Sequence, residues 1–247
     1  MSYPEAMAHA VSSVKWLVVI PTIRQDRPGH PEVMARVRAS FTQPTDFHIL
    51  DGAEGKPAAL NMALKDLLDA HDFYVTMDDD YVPGAGWQDL VAQAFRDLPR
   101  LGMAGLWVGP HDQGLVGAHR VLSPRTAGNT TYRPLERGHH VAGAFHAYRP
   151  DVARLVGPQP ITNERYQVWE DAWRGRRVQA LGYDLAFIEG ATPEFITYDD
   201  PAEYIQWRES QVTRSRVDQD IWLRDSGIPD PITLRLRRWI ARMRGRA

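Results

Sequence analysis

The chain has 247 residues, 29 basic against 31 acidic side chains for a formal net charge of −2, and no cysteine. That length suits one large α/β domain or two small ones with a sizeable core, and the lack of cysteine excludes disulfides and thiolate metal sites. The balance of charge argues against bulk attraction to nucleic acid. The longest strongly apolar run, Trp16 to Ile20, is too short to span a bilayer, and the N-terminus lacks a secretory pattern. A cytoplasmic protein is expected.

Val14 to Thr22 reads as a buried strand ended near Pro21. The polar loop Arg24 to Gly29 leads to Pro31, which suits the first turn of a helix running to about Phe41. Phe47 to Leu50 is a short second strand closed by Asp51-Gly52. Gly55 to Leu68 carries Leu60, Ala63, Leu64, Leu67 and Leu68 at helical spacing. Phe73 to Met77 is a third strand, and Gly86 to Leu98 a third helix. Gly109 to His140 is rich in Gly, Pro, Ser, Thr and Arg, with little periodicity beyond short strand-like pieces, and reads as a functional loop or a disordered one. Regularity returns at Val141 to Tyr148, followed by helices at Asp151 to Val156 and from about Trp169 to Leu181, and by a strand at Leu185 to Ile188. Strands alternating with helices predict a mainly parallel central sheet flanked by helices, with ligands at the carboxyl ends of the strands. The boundaries predict one domain over residues 1–230.

Asp78-Asp79-Asp80 closes the third strand. Carboxylates this close repel, and a cation between them relieves the repulsion. Oxygen ligands suit Mg²⁺ or Mn²⁺, which commonly bring a phosphate-bearing substrate. The plain alternative is a solvated acidic turn before Pro83-Gly84. Glu170-Asp171 has a similar alternative, acids at a helix N-terminus that complement its dipole.

Taken in order, Val18-Val19-Ile20-Pro21-Thr22, Gly55-Lys56-Pro57-Ala58-Ala59-Leu60-Asn61, Asp78-Asp79-Asp80, Val141-Ala142-Gly143-Ala144-Phe145 and Glu170-Asp171, with Arg177 and Gly182-Tyr183 beyond, resemble the inverting family-2 glycosyltransferases of the GT-A fold. The resemblance covers about residues 14 to 190. It implies transfer of a sugar from a nucleotide-diphospho-sugar to an acceptor hydroxyl with inversion, assisted by Mn²⁺ or Mg²⁺. By that resemblance Asp80 holds the metal, Asp78 sits near the donor ribose or at the metal or its water, Asp79 faces the donor as a metal ligand or a neighbour of one, and Asp171 is the base with Glu170 in support. Pro21, Thr22, Asp51, Lys56, Asn61 and Arg177 face the donor; Gly143, Ala144 and Trp169 face the acceptor. Two departures stand out. Asp51 runs almost directly into Gly55, where the family inserts a helix and a strand, so the nucleotide pocket is abbreviated. No histidine follows His146, so Tyr198, Asp199, Asp200 or water would complete the metal's ligands.

Other positions have two readings each. Trp107, Trp169 and Trp173 offer a stacking platform or core packing, and His139-His140 a metal ligand or polar loop residues. From Arg235 onward there are six arginines and no acid. With Ile232, Leu236, Trp239, Ile240 and Met243 near one face, residues 231–247 read as a basic amphipathic helix. It would dock on the domain, or rest on an anionic membrane surface or a nucleic acid. The acceptor is then a glycan, a lipid-linked glycan, a small molecule or a modified nucleic acid. The alternatives are a sugar nucleotidyltransferase, disfavoured because Pro21-Thr22-Ile23-Arg24-Gln25 lacks a glycine-rich phosphate loop, and a non-catalytic sugar- or nucleotide-binding module, which would not need both acid clusters.

Overall fold

A computed structural model describes residues 14–109, 121–159 and 170–206. The first half runs β1 (Trp16–Thr22), α1 (His30–Ala39), β2 (Thr45–Asp51), α2 (Lys56–Asp66), a single 3-10 turn (Leu68–Ala70), β3 (Phe73–Met77), β4 (Tyr81–Val82) and α3 (Trp87–Asp97). The second half runs β5 (Leu101–Leu106), β6 (Arg125–Ala127), β7 (Thr130–Pro134), β8 (Phe145–Tyr148), α4 (Pro150–Val156), α5 (Glu170–Ala180), β9 (Asp184–Ile188) and β10 (Glu194–Phe195).

Eight strands form one sheet in the order β2-β1-β3-β8-β5-β9-β7-β6, and β4 pairs with β10 in a small antiparallel ribbon. β1 lies parallel to β2 and β3, and β5 parallel to β9. The sheet is mostly parallel in strand direction, but β8 enters its middle antiparallel to both β3 and β5. The β6–β7 hairpin closes one edge through β9. The expected irregular segment from Gly109 to His140 is therefore corrected: it contributes two strands of the main sheet.

Alternation along β1 explains why all seven of its residues are buried. Trp16, Val18 and Ile20 point to one face with Val33 and Val37 of α1 and Val91 and Phe95 of α3. Leu17 and Val19 point to the other, with Leu60 of α2, Val152 of α4 and Trp173 and Val178 of α5. A strand buried on both sides has no polar face to show, which is why it reads as a continuous apolar run. β5 has no such signature because Gly102 and Gly105 sit where a side chain would collide. A Cβ at Gly102 would stand 2.5 Å from Tyr183 Cβ, and one at Gly105 2.8 Å from Phe187 Cδ1.

Among the described residues no helix is long and apolar enough to cross a membrane. The tail at 231–247 and Trp169 lie outside the described residues.

Candidate active site

The carboxyl ends of β1, β2 and β3 open on the same edge of the sheet. Thr22 is in register with Asp51, and the Gly52 N–H donates to Thr22 O at 2.8 Å. Asp51 itself is exposed and accepts from the Ala53 N–H at 2.9 Å, a local side-chain turn. The acidic triplet follows β3 directly. Its backbone is stitched on both sides, since the Asp78 N–H donates to Ala144 O at 3.0 Å and Asp80 O accepts from the Ile196 N–H at 2.7 Å. Fixing the backbone this way gives Asp78 and Asp79 separate partners, which relieves their mutual repulsion.

Asp78 turns to Lys56. The ammonium lies 2.6 Å from Asp78 Oδ1 and 2.5 Å from Glu170 Oε1, and donates to Gly143 O at 3.4 Å. One cation thus joins the end of β3 to the start of α5. Gly55, at φ +96°, makes the sharp entry that places Lys56 on the first turn of α2. Gly143 permits the approach, since a Cβ there would stand 3.2 Å from Glu170 Oε1. Burial alone would lower the Lys56 pKa, but the charges of Asp78 and Glu170 outweigh it and hold the ammonium well above its ordinary value. Burial pushes the Asp78 carboxyl up, with Lys56 drawing it back only in part.

Asp79 turns the other way. Thr22 Oγ1 donates a short hydrogen bond to its carboxylate. Arg27, only 6% exposed, approaches to 3.6 Å, and the Tyr198 hydroxyl donates to Asp79 O at 2.7 Å. The same guanidinium pairs with Asp200 at 3.0 Å, donates to the Tyr204 hydroxyl at 3.0 Å and lies 4.8 Å from the Tyr198 ring centroid. Sequence reasoning passed over Arg27 as part of a polar loop, and its one legible signal was a pair of arginines, Arg24 and Arg27, between two predicted elements. Tyr198 and Asp200, expected as substitute metal ligands, are engaged here instead, and Asp199 is exposed.

Asp171 is 17% exposed on the first turn of α5. Its Oδ1 accepts from the Ala172 N–H at 2.6 Å and its Oδ2 faces His140 Nε2 at 3.3 Å. Burial works against ionisation, but the charge and hydrogen bond of His140, with Lys56 beyond it, prevail and hold the carboxyl at about 2. His146 Nε2 lies 3.0 Å from Val141 O inside the core, where burial lowers its pKa to about 3 and keeps it neutral.

Not every expected residue converges here. Asn61 clamps the backbone of Gln159, donating to its carbonyl and accepting from its N–H at 2.8 Å each. Arg177 Nε donates to Val156 O at 3.2 Å and ties α5 to α4. Trp173 is core, 3% exposed, while Trp107 packs edge-on to Phe187 beneath Arg133.

Among the described residues no group of three or more acids and histidines is arranged to hold a metal. The charge nevertheless fits one. Asp78 and Glu170 share Lys56, and Asp79 and Asp200 share Arg27, so each cation faces two carboxylates and negative charge is in excess. Mg²⁺ is commonly held by one or two carboxylates plus substrate phosphates, so a pair within the triplet suffices on the protein side.

No protein-family model matches this sequence, and no curated protein matches it either. Among solved structures, the mannosyltransferase PcManGT from Pyrobaculum calidifontis, in complex with GDP-Man and Mn²⁺, aligns over 78% of this chain at 17% identity and a TM-score of 0.50. The aligned chain spans 59% of that protein's length. The architecture is GT-A. Two further structures align at 13% identity: A197 from STIV (TM-score 0.45, 73% of this chain and 84% of that one) and the catalytic domain of Drosophila β1,4-galactosyltransferase 7 complexed with xylobiose (TM-score 0.46, 77% and 73%). In that fold the strand ends carrying Thr22, Asp51 and the triplet form the edge described above.

Proposed function

We propose that the protein is a glycosyltransferase that moves a sugar from a nucleotide-diphospho-sugar to an acceptor hydroxyl with inversion at the anomeric carbon. The observation that carries this reading is the Lys56 bridge, which holds a metal-type acidic cluster and a buried acid pair on either side of one ammonium. Inverting displacement needs that division. The diphosphate departs on one side while a base takes the acceptor's proton on the other.

On the donor side, Asp80 and Asp78 would hold a divalent ion, Mn²⁺ or Mg²⁺. When bound, the ion stabilises charge developing on the departing diphosphate. Lys56 pairs with Asp78, and Thr22 and Arg27 pair with Asp79, partners that an incoming cation would partly replace. Asp51 stands exposed at the end of β2, where a nucleobase would lie in the family's arrangement. On the acceptor side Asp171 is the base, its carboxyl held below the usual carboxylate range by His140, and Glu170 is tied to Lys56 beside it. Gly143 packs against Glu170 and Asp171, and with Ala144 and Trp169 it is expected to face the acceptor sugar. The chemistry of both clusters supports this reading over a binding module.

The test is a thermal-shift panel of UDP-, GDP-, CMP- and dTDP-sugars, each with and without Mn²⁺, followed by assay of nucleotide release. The reading expects a metal-dependent rise in melting temperature with one nucleotide class and release of nucleoside diphosphate from it. Stabilisation without release indicates a binding module, and formation of a nucleotide-sugar from a sugar phosphate and a nucleoside triphosphate indicates a nucleotidyltransferase. No shift with any donor at millimolar ligand and metal overturns it.

A further inference from the structure

The edge of the sheet that carries the acidic triplet has a second recess. Beyond the carboxyl end of β9, α3 and the β6–β7 hairpin border a cleft of about 340 Å³, within the size range of small-molecule sites. Gln93, Asn129, Thr131 and Glu189 supply its polar groups, and Leu90 and Ile188 its apolar floor. β3, β5 and β9 run in one direction, because β8 is antiparallel to both β3 and β5 and β5 is parallel to β9. The triplet after β3 and Glu189 after β9 therefore share an edge. Three strand spacings separate them in the order β3-β8-β5-β9, about 14 Å. Between them lie Gly143 and Ala144, which precede β8, and Trp107, which follows β5.

The walls of this cleft are tied in place. Asp97, the last residue of α3, accepts from Gln93 Nε2 at 2.8 Å, from the Asn129 N–H at 3.0 Å and from Thr130 Oγ1 at 2.8 Å. These bonds hold the hairpin's turn on the helix. Gly128, at φ +54°, allows the approach, since a Cβ there would stand 2.5 Å from Asp97 Oδ1. On the other wall Arg133 Nε meets Glu189 Oε1 at 2.5 Å, while its guanidinium lies 4.5 Å from the Trp107 ring centroid. Trp107 is thus a support for the Glu189 ion pair, its face already covered. The Glu189 N–H donates to Thr131 O at 3.0 Å and joins the two walls. A recess so braced needs little ordering when a ligand enters.

The lining selects among ligands. Gln93 is engaged at both ends, by Asp97 and Arg96, whereas the Asn129 amide, the Thr131 hydroxyl and Glu189 Oε2 make no hydrogen bond among the described residues. An amide, a hydroxyl and a carboxylate oxygen beside an apolar floor match a sugar ring, which has hydroxyls on its rim and C–H groups on its face. Glu189 is the one charged lining residue, and Arg133 balances it. A phosphate would meet that carboxylate with no cation in the lining to offset it, so the cleft favours a neutral ligand. We infer that the cleft is a subsite for a neutral glycan, the far end of an acceptor whose near end meets Asp171. The inference rests on the glycosyltransferase reading above and narrows the acceptor to an oligosaccharide. The span to the triplet exceeds one sugar ring and suits a chain of several, lying across Gly143, Ala144 and Trp107. Binding so far from the reacting atoms is remote binding energy, which acts by holding and orienting the acceptor.

Two measurements on the full chain test it. The first needs no donor: mannotriose, galactotriose, xylotriose and chitotriose are titrated into ¹⁵N-labelled protein. At least one should bind saturably and move the Asn129 side-chain amide and the Thr131 and Gly190 backbone signals, while inorganic phosphate leaves them in place. Glu189→Gln should weaken that binding about tenfold, as a charged acceptor gives way to a neutral one, and Thr131→Val about threefold. Valine keeps the β-branched shape that suits the strand, so the second variant stays folded for the comparison. No saturable binding by any of the four, binding that leaves these signals unmoved, or a response to phosphate instead overturns the inference. The second measurement follows transfer from the UDP-, GDP-, CMP- and dTDP-sugars, with Mn²⁺, to the trisaccharide that bound and to its monosaccharide. The trisaccharide's advantage in kcat/KM should shrink in the two variants by the same factors. An advantage that survives both variants overturns the subsite and leaves the glycosyltransferase reading standing. Binding at these signals without transfer from any donor leaves the glycan site standing and overturns that reading.

Discussion

Asp78, Asp79 and Asp80 sit in a half-buried turn between strands, whereas Glu170 and Asp171 sit on the first turn of a helix with side chains 8% and 17% exposed. Within the triplet, Asp78 looks to Lys56 and Asp79 to Thr22 and Arg27, and the turn itself stays partly open. The pair is enclosed, with Lys56 on one acid and His140 on the other. The difference teaches how one type of side chain does two jobs. Carboxylates spread around an open turn can trade partners for an incoming cation or phosphate. Carboxylates locked against a helix and a docked segment keep one geometry, as proton transfer requires.

The sharpest way to break this contrast is to neutralise the enclosed acid. Asp171→Asn should reduce turnover about a thousandfold, within the range for loss of a general base, with the melting point of the donor complex little changed. If it merely weakened donor binding, the two clusters would share one role.

Acid comes next and should act on the enclosed side first. His146 is held at about 3 against an unfolded value near 6.5, so its stabilising share is complete above about pH 6.5 and is lost as pH falls towards 3. Asp171, held at about 2, adds a share that is present above about pH 4 and fades towards 2. Together they predict a loss on the order of 4 kcal/mol between pH 7 and 3, read from urea midpoints. His146→Gln should remove the upper part of that slope and leave the lower.

Lys56→Met removes the cation that joins the clusters. Because Asp78 is about a third exposed, the cost falls below that of a fully buried pair, at about 2 kcal/mol. Denaturant titration of the apo protein measures it, and Mn²⁺ should recover more stability in the variant than in the wild type if Asp78 is freed for the ion. The smallest effect is expected one turn below the acid pair. Arg174 is 1% exposed, lies against the Tyr74 and Tyr148 hydroxyls, and leaves Nε and Nη2 without a hydrogen-bond partner among the described residues. Arg174→Met should be neutral or raise stability by about 1 kcal/mol, since a well-packed apolar side chain replaces a costly buried charge. A large drop in melting temperature would show that the cation supports the acids above it.

Much of this layout was legible in the residues. β1, β3 and β9 announce themselves as apolar runs because both faces of the sheet are covered, and the alternation with helices gave the fold class. β5 was illegible because tight packing of Tyr183 and Phe187 against it demands glycine, the residue that argues against a strand. The β6–β7 hairpin was hidden for the opposite reason: it lies at an edge, where Arg125, Thr126 and Thr131 need not be apolar. Helical spacing put Asn61 and Arg177 on usable faces. It could not show that backbone groups of Gln159 and Val156 would reach them first. The contacts of Arg27 and His140 join residues far apart in sequence, and periodicity carries no information of that kind.

The antiparallel strand in the middle of the sheet has a consequence for how the chain folds. β3 and β5 are joined by a single helix, yet the space between them is filled by β8, with Thr76 opposite His146 and Ala104 opposite Ala147. Until residues 145–148 arrive, β3 and β5 each present an unpaired edge, and both are ready templates for intermolecular pairing. Closing so long a loop is entropically costly, so the insertion is a natural slow step. A chain emerging from the ribosome would carry β3 and β5 with open edges until then, and β5 keeps its other edge open until β9 follows, a window in which a chaperone has the most to offer.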